Sequence, residues 1–412
     1  MKLIVTLFAF SICSFSYAQI LKGVVLSAEN NQPVQGASVY ISNSSKGTVS
    51  LQNGSFMLEN LPIGNITLVV SCIGYETYSN NIDVQPNGNY SITIILKQKI
   101  NELQEVKLTA WEKDGFKKWG EFFIEHFIGN MEEAAYCNIK NPEVIKFKHD
   151  KKTNTLLAKA FKTLVIENKA LGYIIHYDLE GFEYDFNKRL LFYYGYQLFK
   201  EMETKRKGKL NKWTSKRNEV YKGSMMHFIR ALYKNQLEEE GFDAKFIIKT
   251  PNYEKQRVAT KLRNNFNAGT QIITIGGSKN IDTKSDSSNY YSSILKQPDE
   301  FSYLINKSIK ADSIVTTIDA TSKALSFDNN LQVVYKYKQE PQKYLQQNWL
   351  SNKYKTPTAI TSTINLLGSK KIRIYENGQY IYPTEILSSG WWGWSEKIAY
   401  LLPLDFEPTT NN

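Results

Sequence analysis

Turn-forming residues recur at short intervals through residues 20–98 and divide this stretch into short apolar runs. Runs separated by turn signals at a spacing of about 8–12 residues are typical of an all-β sandwich or barrel. The glycines and prolines lie between the runs, where a positive φ angle or a missing N–H is tolerated. Strands are therefore predicted at 20–27, within 32–41, and at 55–58, 66–71 and 91–96.

The first residues resemble a secretion signal. Lys2 precedes an apolar run from Leu3 to Phe15, and Ser16-Tyr17-Ala18 follows before Gln19. This order is typical of a cleavable signal peptide, and cleavage is predicted after Ala18. The run is shorter than the roughly 20 apolar residues that span a bilayer, and no later stretch is long enough. We expect an exported chain, periplasmic or peripherally attached to the outer membrane, without a transmembrane span after processing.

The charge of the chain is uneven. Its 51 Lys and Arg against 40 Asp and Glu give a formal net charge of +11, yet residues 19–98 hold three lysines and four acidic residues. The excess positive charge therefore lies after residue 98. Lysine outnumbers arginine, which argues against dedicated bidentate phosphate recognition. Two interpretations remain, a solubilising surface and attraction to an anionic envelope surface.

The turn positions of the first hundred residues carry a family resemblance. They are Gly23-x-Val25, Pro33-Val34-x-Gly36-Ala37-Ser38-Val39, Gly47-Thr48, Asn53-Gly54-x-Phe56, Leu61-Pro62-x-Gly64 and Cys72-Ile73-Gly74-Tyr75. Residues 19–98 thus resemble the carboxypeptidase-regulatory-like domain, common at the front of exported Bacteroidota proteins. The resemblance implies a prealbumin-like Greek-key sandwich of about seven strands. It also implies an accessory module, because the zinc carboxypeptidases carry catalysis on a separate domain.

That separate catalytic domain is not predicted here. A zinc site of this kind needs a His-x-x-Glu pair, and none of His126, His149, His176 and His227 has a glutamate three residues later. The chain also lacks Gly-x-Ser-x-Gly, Gly-x-Gly-x-x-Gly and the P-loop motif. We therefore predict no catalytic residue, no cofactor, no metal and no enzymatic activity. The later residues also lack the even-spaced amphipathic strands of a large outer-membrane barrel.

A linker is predicted at 99–113 and a larger α+β domain with a mainly antiparallel sheet at 114–412. One helix is expected from Asp114 to Gly129, one capped by Ser224 and stopped by Gly241, and a short one near 395–402. Asn377-Gly378 predicts a hairpin. Two C-terminal segments, Gly223-Ser224-Met225-Met226-His227-Phe228 and Gly390-Trp391-Trp392-Gly393-Trp394 before Leu401-Leu402-Pro403, resemble an uncharacterised region of the same proteins. Strands are predicted at 155–158, 164–166, 173–177, 182–186, 190–196, 245–249, 271–275, 313–318 and 331–337.

Two clusters are candidate contact sites. Trp391, Trp392 and Trp394 suit stacking on a glycan, although packing of the C-terminal helix on the sheet is the favoured interpretation. The basic residues around Trp213, between 200 and 217, suit an anionic headgroup or phosphate, although a solvated loop is favoured. They include Lys205, Arg206, Lys207 and Lys209. Export makes nucleic acid an improbable partner.

The remaining chemistry is sparse. His176 with Asp178, and Ser224 with His227, are the nearest acid–base pairs, and a structural role is favoured for both. Cys72 and Cys137 are predicted to be free thiols. The sequence favours a non-catalytic envelope protein whose partner is an envelope protein or an anionic surface. The alternatives are a glycan-binding protein that uses the tryptophans and an unrecognised hydrolase.

Overall fold

The computed structural model describes residues 19–99, 111–267, 286–347, 356–368, 371–381 and 383–409. The predicted signal peptide, most of the predicted linker and the predicted strand at 271–275 lie outside these residues. The predicted domain boundaries stay predictions.

The N-terminal residues form a β-sandwich of two sheets. Its strands are β1 (Ile20–Ser27), β2 (Ser38–Ile41), β3 (Gly47–Val49), β4 (Ser55–Glu59), β5 (Gly64–Ser71), β6 (Tyr78–Val84) and β7 (Asn89–Leu96). One sheet has the order β4-β1-β7 and the other β3-β2-β5-β6. Gly23 must lack a side chain, because a Cβ there would lie 2.4 Å from the carbonyl oxygen of Ile92. The predicted sandwich is confirmed.

The larger region is an α+β assembly of helices and antiparallel strands. The helices are α1 (Gly115–Phe127), α2 (Lys207–Tyr221), α3 (Met225–Lys234), α4 (Tyr253–Asn267), α5 (Asp286–Leu295), α6 (Gln342–Gln346) and α7 (Trp391–Ser395). The strands are β8 (Cys137–Ile139), β9 (Ile145–Asp150), β10 (Thr155–Ala160), β11 (Leu164–Asn168), β12 (Tyr173–Asp185), β13 (Leu190–Glu201), β14 (Phe242–Pro251), β15 (Glu300–Leu304), β16 (Val315–Thr317), β17 (Ser322–Ser326), β18 (Asn330–Gln339), β19 (Ala359–Leu366), β20 (Lys371–Tyr375) and β21 (Ile386–Gly390).

Three sheets organise this region. A six-stranded sheet has the order β8-β11-β12-β10-β9, and β13 pairs with β12 along its whole length. A five-stranded sheet has the order β15-β14-β18-β19-β21, and a three-stranded sheet has the order β16-β17-β20. The described ladders of these sheets are antiparallel, which confirms the predicted sheet type.

The predicted first helix is confirmed as α1, which packs on the six-stranded sheet. Phe123 and Phe127 are fully buried, one helical turn apart. Their rings lie 5.6 Å from the Phe147 ring and 5.2 Å from the Tyr177 ring, respectively, both in edge-to-face contact. Edge-to-face pairs of this kind add about 0.5–1.5 kcal/mol each to the burial of the rings. The helix therefore depends on its aromatic face.

Helix α3 begins where it was predicted and ends earlier. The Ser224 hydroxyl accepts a hydrogen bond from the backbone N–H of His227 at 3.1 Å, which is the expected N-cap. The helix ends at Asn235, whose φ of +57° is left-handed. The prediction of Gly241 as the stop is wrong, because asparagine tolerates the left-handed conformation and ends the helix first.

Helix α2 stands where a solvated loop was predicted, so that prediction is wrong. Its buried side consists of Trp213, Arg217, Val220 and Tyr221 at helical spacing. Arg217 is buried because its guanidinium donates to the carbonyl oxygens of Leu171 and Gly172. A buried arginine interrupts the apolar periodicity that would have indicated a helix.

The C-terminal helix is also displaced from its prediction. Helix α7 covers Trp391–Ser395, and a single 3-10 turn follows at Ile398–Tyr400. Gly390 has a φ of +70°, and a Cβ there would lie 2.6 Å from the carbonyl oxygen of Thr361. This glycine ends β21 and starts the helix four residues before the predicted position, so the tryptophans lie inside the helix.

The sandwich is joined to the larger region along the end of β13. Ser44 forms a parallel bridge with Leu198, in which the Asn43 N–H donates to the Gln197 oxygen at 2.8 Å. The Phe199 N–H donates to the Ser44 oxygen at 3.0 Å. Tyr40, Val69 and Leu198 form a small apolar cluster beside this bridge. The contact therefore combines a backbone bridge with apolar packing.

A buried polar contact crosses the same junction. The Tyr40 hydroxyl donates to the Asp178 carboxylate at 2.7 Å, and the Thr163 hydroxyl donates to the other carboxylate oxygen. Burial raises the pKa of Tyr40, and the nearby Asp178 charge raises it further, so the phenol remains a donor.

The described cysteines, Cys72 and Cys137, are free thiols as predicted.

Replacing Tyr40 tests this junction. Tyr40→Phe should lower the free energy of unfolding by about 1–3 kcal/mol, because a buried carboxylate loses a donor that no solvent replaces. The urea midpoint of the mature chain measures the loss. Tyr136→Phe is the matched control, since Tyr136 is 61% exposed. Equal midpoints for the two variants would contradict the role of the Tyr40–Asp178 contact.

Candidate functional site

A cleft of about 1000 Å³ lies beside the junction. It is bordered by the end of α1, by β13, by the start of α3, by the turn after β20 and by β21 with α7. Asn43 of the sandwich also lines it. A volume of this size is at the upper end of the range for ligand-binding pockets.

Two strands contribute unbroken runs to the cleft wall. Residues 189–195 of the β13 side and 386–390 of β21 all line it. Successive side chains of a strand point to opposite faces of the sheet, so a run of consecutive residues indicates that the strand edge itself faces the cleft. Both strands are edge strands: β13 pairs with β12, and β21 pairs with β19. The cleft therefore lies between two sheet edges.

Phenol groups supply much of the rest of the wall. Burial raises the pKa of Tyr193 and Tyr380, and the nearby Glu396 raises both further. Tyr193 also donates its hydroxyl to the backbone oxygen of Glu396 at 3.2 Å. These phenols stay neutral at physiological pH and offer hydrogen bonds together with an aromatic face. Tyr177, Tyr184, Tyr194, Tyr344 and Tyr400 line the cleft as well.

Two adjacent charged residues of this wall, Glu396 and Lys397, have partly buried side chains. Burial raises the pKa of Glu396, although its Oε1 accepts the Met225 N–H at 2.9 Å. Burial lowers the pKa of Lys397 to about 8, against a smaller opposite effect of the Glu396 charge. The sequence analysis missed both residues, and their only signal in the sequence is that two charged residues follow the tryptophans after Ser395.

His126 also lines the cleft. Its Nδ1 lies 2.9 Å from the backbone oxygen of Phe122, so Nδ1 carries the proton and donates. Its ring stacks on the Phe122 ring at 4.0 Å. Burial lowers the pKa of His126, which keeps the ring neutral near pH 7. The group therefore adds a neutral imidazole to a mainly uncharged wall.

The predicted tryptophan cluster is packed inside the protein. Trp391 and Trp392 are 2% exposed and Trp394 is 8% exposed, so the glycan-stacking hypothesis is wrong for these three rings. The Trp392 Nε1–H donates to the Gly223 oxygen at 2.9 Å, and the Trp391 and Trp394 rings lie 5.1 Å apart. The packing interpretation is confirmed. Trp392 and Trp394 still form part of the cleft wall.

The predicted basic residues lie at the start of α2 and do not line the cleft. Lys205, Arg206, Lys207 and Lys209 are exposed. Trp213 is not available for stacking, because it is buried and its Nε1–H donates to the Lys169 oxygen at 2.9 Å. The Lys209 ammonium lies 4.8 Å above the Trp213 ring. The basic side chains are therefore accessible to a partner, whereas the Trp213 ring is not.

The two predicted acid–base pairs have structural partners. Asp178 belongs to the junction with Tyr40. His227 accepts the Gly223 N–H at Nδ1 and lies 2.9 Å from Glu240 at Nε2, while burial lowers its pKa. Across the described ranges, no group of three or more His, Cys, Asp or Glu is placed to hold a metal ion.

Comparison with known proteins identifies the N-terminal module. Residues 21–108 match the family model of the CarboxypepD_reg-like domain, so the chain carries this regulatory, non-catalytic domain at that position. No curated protein matches the chain significantly. No helix in the described part of the chain combines the length and apolarity needed to cross a bilayer.

Several solved structures are similar to a small part of the chain. A type II cohesin–X–dockerin complex from Acetivibrio cellulolyticus aligns at 18% identity and a TM-score of 0.17, covering 19% of this chain and 56% of that one. A streptococcal ancillary pilin aligns at 13% identity and a TM-score of 0.19, covering 21% of this chain and 34% of that one. A catechol 1,2-dioxygenase from an Acinetobacter species aligns at 12% identity and a TM-score of 0.19, covering 23% of this chain and 57% of that one. The chain thus covers less than two thirds of each of these structures.

The lysine in the cleft yields a pH-dependent prediction. The folded pKa of Lys397, about 8, lies below its ordinary value of 10.5. The unfolded chain therefore binds more protons between these values, and the contribution of Lys397 to stability rises with pH across that window. Lys397→Met should raise the free energy of unfolding at pH 7 by about 1–3 kcal/mol, and the gain should vanish above pH 10.5.

Urea unfolding at a series of pH values measures this effect. Lys188→Met is the control, because the Lys188 side chain is 75% exposed and should show little change at any pH. A Lys397→Met gain that does not shrink with rising pH would contradict the assigned cause.

Proposed function

We propose that the protein is an exported, non-catalytic component of the cell envelope that binds a partner through the larger domain, with the regulatory-like sandwich as a docking and stabilising module. The observation that carries this proposal is the position of the sandwich. Its loop at Asn43 and Ser44 bridges the end of β13, and Asn43 lines the cleft. The module therefore helps to build the binding surface.

The chemistry of the cleft favours binding. A wall of neutral phenols, an imidazole and aromatic edges offers hydrogen bonds and apolar contact area at the same time. The partly buried Glu396 and Lys397 lower stability through desolvation, as their shifted pKa values indicate. Groups that cost stability at a cleft are expected where a site serves recognition.

The basic start of α2 supports an anionic surface as a second contact. Arg206 is the N-cap residue, Lys207 and Lys209 lie in the first turn, and this turn has no acidic residue. The positive end of a helix dipole disfavours cations, so this arrangement does not serve helix stability. An anionic envelope surface near these side chains would relieve the repulsion.

Export is tested by the processed N-terminus. The chain produced in a Gram-negative host should begin at Gln19 and fractionate with the periplasm or, released by salt, with the outer membrane. N-terminal sequencing and fractionation measure this. A cytosolic chain that retains Met1 would contradict the proposal.

The anionic contact is tested by charge reversal. Changing Lys205, Arg206, Lys207 and Lys209 together to glutamate should weaken binding to phosphatidylglycerol vesicles by about 1000-fold or more, because four lost cations at about 1 kcal/mol each remove about 4 kcal/mol. Cosedimentation at rising salt measures it. The control reverses Lys113, Lys117, Lys151 and Lys152, which are also exposed and change the net charge equally. Equal losses in both variants would show that only net charge matters.

A further inference from the structure

The two strand edges that border the cleft present unpaired backbone groups. In an antiparallel ladder, residues alternate between pointing both backbone groups at the partner strand and pointing both away. On β13, the backbone groups of Gln197 and Phe199 point away from β12. The Gln197 oxygen accepts from the Asn43 N–H, and the Phe199 N–H donates to the Ser44 oxygen. The register of the β12–β13 ladder shifts once, between Leu179 and Gly181, so the extra residue lies on β12 and β13 contributes no extra residue. The alternation along β13 therefore continues towards its start.

This alternation assigns the direction of the cleft-lining residues. Gly195, Tyr193 and Leu191 lie two, four and six residues before Gln197, so their N–H and C=O groups point away from β12 and towards the cleft. Within the described residues, no backbone hydrogen bond outside the β12 ladder is formed by these three. An open edge of this kind is a template for another strand.

The end of the same edge is already extended by the protein itself. The Asn43–Ser44 segment forms a short parallel bridge at Leu198, just after the cleft-lining residues 191–195 of β13. A segment lying along residues 191–195 would continue this bridge in the direction of the cleft. The edge is therefore used for strand addition at one end and open at the other.

We propose that the cleft binds an extended polypeptide segment of a partner protein, which adds as a strand to the edge of β13 at residues 191–195. This inference rests on the proposed partner-binding function and names the chemistry of the partner. The main-chain hydrogen bonds would supply affinity, and pockets for alternate side chains would supply specificity.

The opposite wall fits the same occupant. Residues 386–390 of β21, the last strand of the five-stranded sheet, also line the cleft. The partly buried Tyr193 and Tyr380 also line the cleft, and their rings suit apolar or aromatic side chains of the bound segment. The six residues from Leu190 to Gly195 span roughly 20 Å, enough for a short strand.

Binding is tested with a random library of synthetic peptides of about 10 residues, a length that covers this edge. The mature full-length chain should select members with dissociation constants below about 100 µM, which corresponds to more than about 5 kcal/mol. Amide hydrogen exchange then locates the contact. The amides of Leu191, Tyr193 and Gly195 should become protected on binding, while those of Phe192 and Tyr194, already within the β12 ladder, should not change.

A matched pair of variants separates the backbone from the side chain. Leu191→Pro removes an outward N–H at an edge position where proline is tolerated, and it should weaken the selected peptide by about tenfold or more. Leu191→Ala loses the same side chain but keeps the N–H, and its affinity should stay within about twofold, a difference of less than about 0.5 kcal/mol. Thermal unfolding of both variants checks folding. If Leu191→Pro does not fold, the selected peptide is N-methylated instead, once at its odd-numbered and once at its even-numbered residues. Only one of these two peptides should lose binding, because every second N–H of an added strand points at the edge of β13.

Four results would overturn the inference. They are a library without binders, equal affinities for the two folded variants, exchange protection elsewhere in the chain, and amides at 191, 193 and 195 that are protected before peptide is added. The last result would show that a second copy or the chain itself covers the edge. An envelope partner that binds without competition from the peptide would leave the proposed function in place and remove only this inference.

Discussion

The arrangement of the molecule depends on the backbone bridge between the sandwich loop and the end of β13. Asn43 and Ser44 satisfy the outward groups of Gln197 and Phe199, and the Tyr40–Asp178 hydrogen bond fixes the same contact from the side. An edge strand without such cover exposes its polar groups along its full length. The bridge therefore covers residues 197–199 of this edge, and the residues of β13 before them line the cleft.

The N-terminal sandwich was predictable because its signals are local. Asn53-Gly54 and Pro62-x-Gly64 each mark a turn by their own chemistry, and Gly23 is required by a single close approach to the Ile92 oxygen. Helix α2 was not predictable in this way, since its buried face includes Arg217, whose burial depends on carbonyl oxygens of Leu171 and Gly172. Such partners are set by the tertiary fold, so no pattern within residues 207–221 indicates them.

The cleft was beyond reach of the sequence for a related reason. Its two walls come from β13 and β21, which lie nearly two hundred residues apart and belong to different sheets. An edge strand binds through its backbone N–H and C=O groups, which every residue type except proline has, so the sequence does not mark it. Glu396 and Lys397 look like ordinary surface charges in the sequence, and only their burial in the fold shifts their pKa values.

The tryptophans explain how a cleft with such groups remains open and stable. Trp392 bonds to the Gly223 oxygen just before α3, and Gly390 ends β21 after five residues, so the α7 segment is held at the side of the β21 edge. Three nearly buried indoles contribute apolar burial of several kcal/mol together. That stabilisation offsets the cost of keeping a carboxyl and an amine partly desolvated in the adjoining residues. The residues that suggested a binding platform thus act as the wall that supports the binding edge.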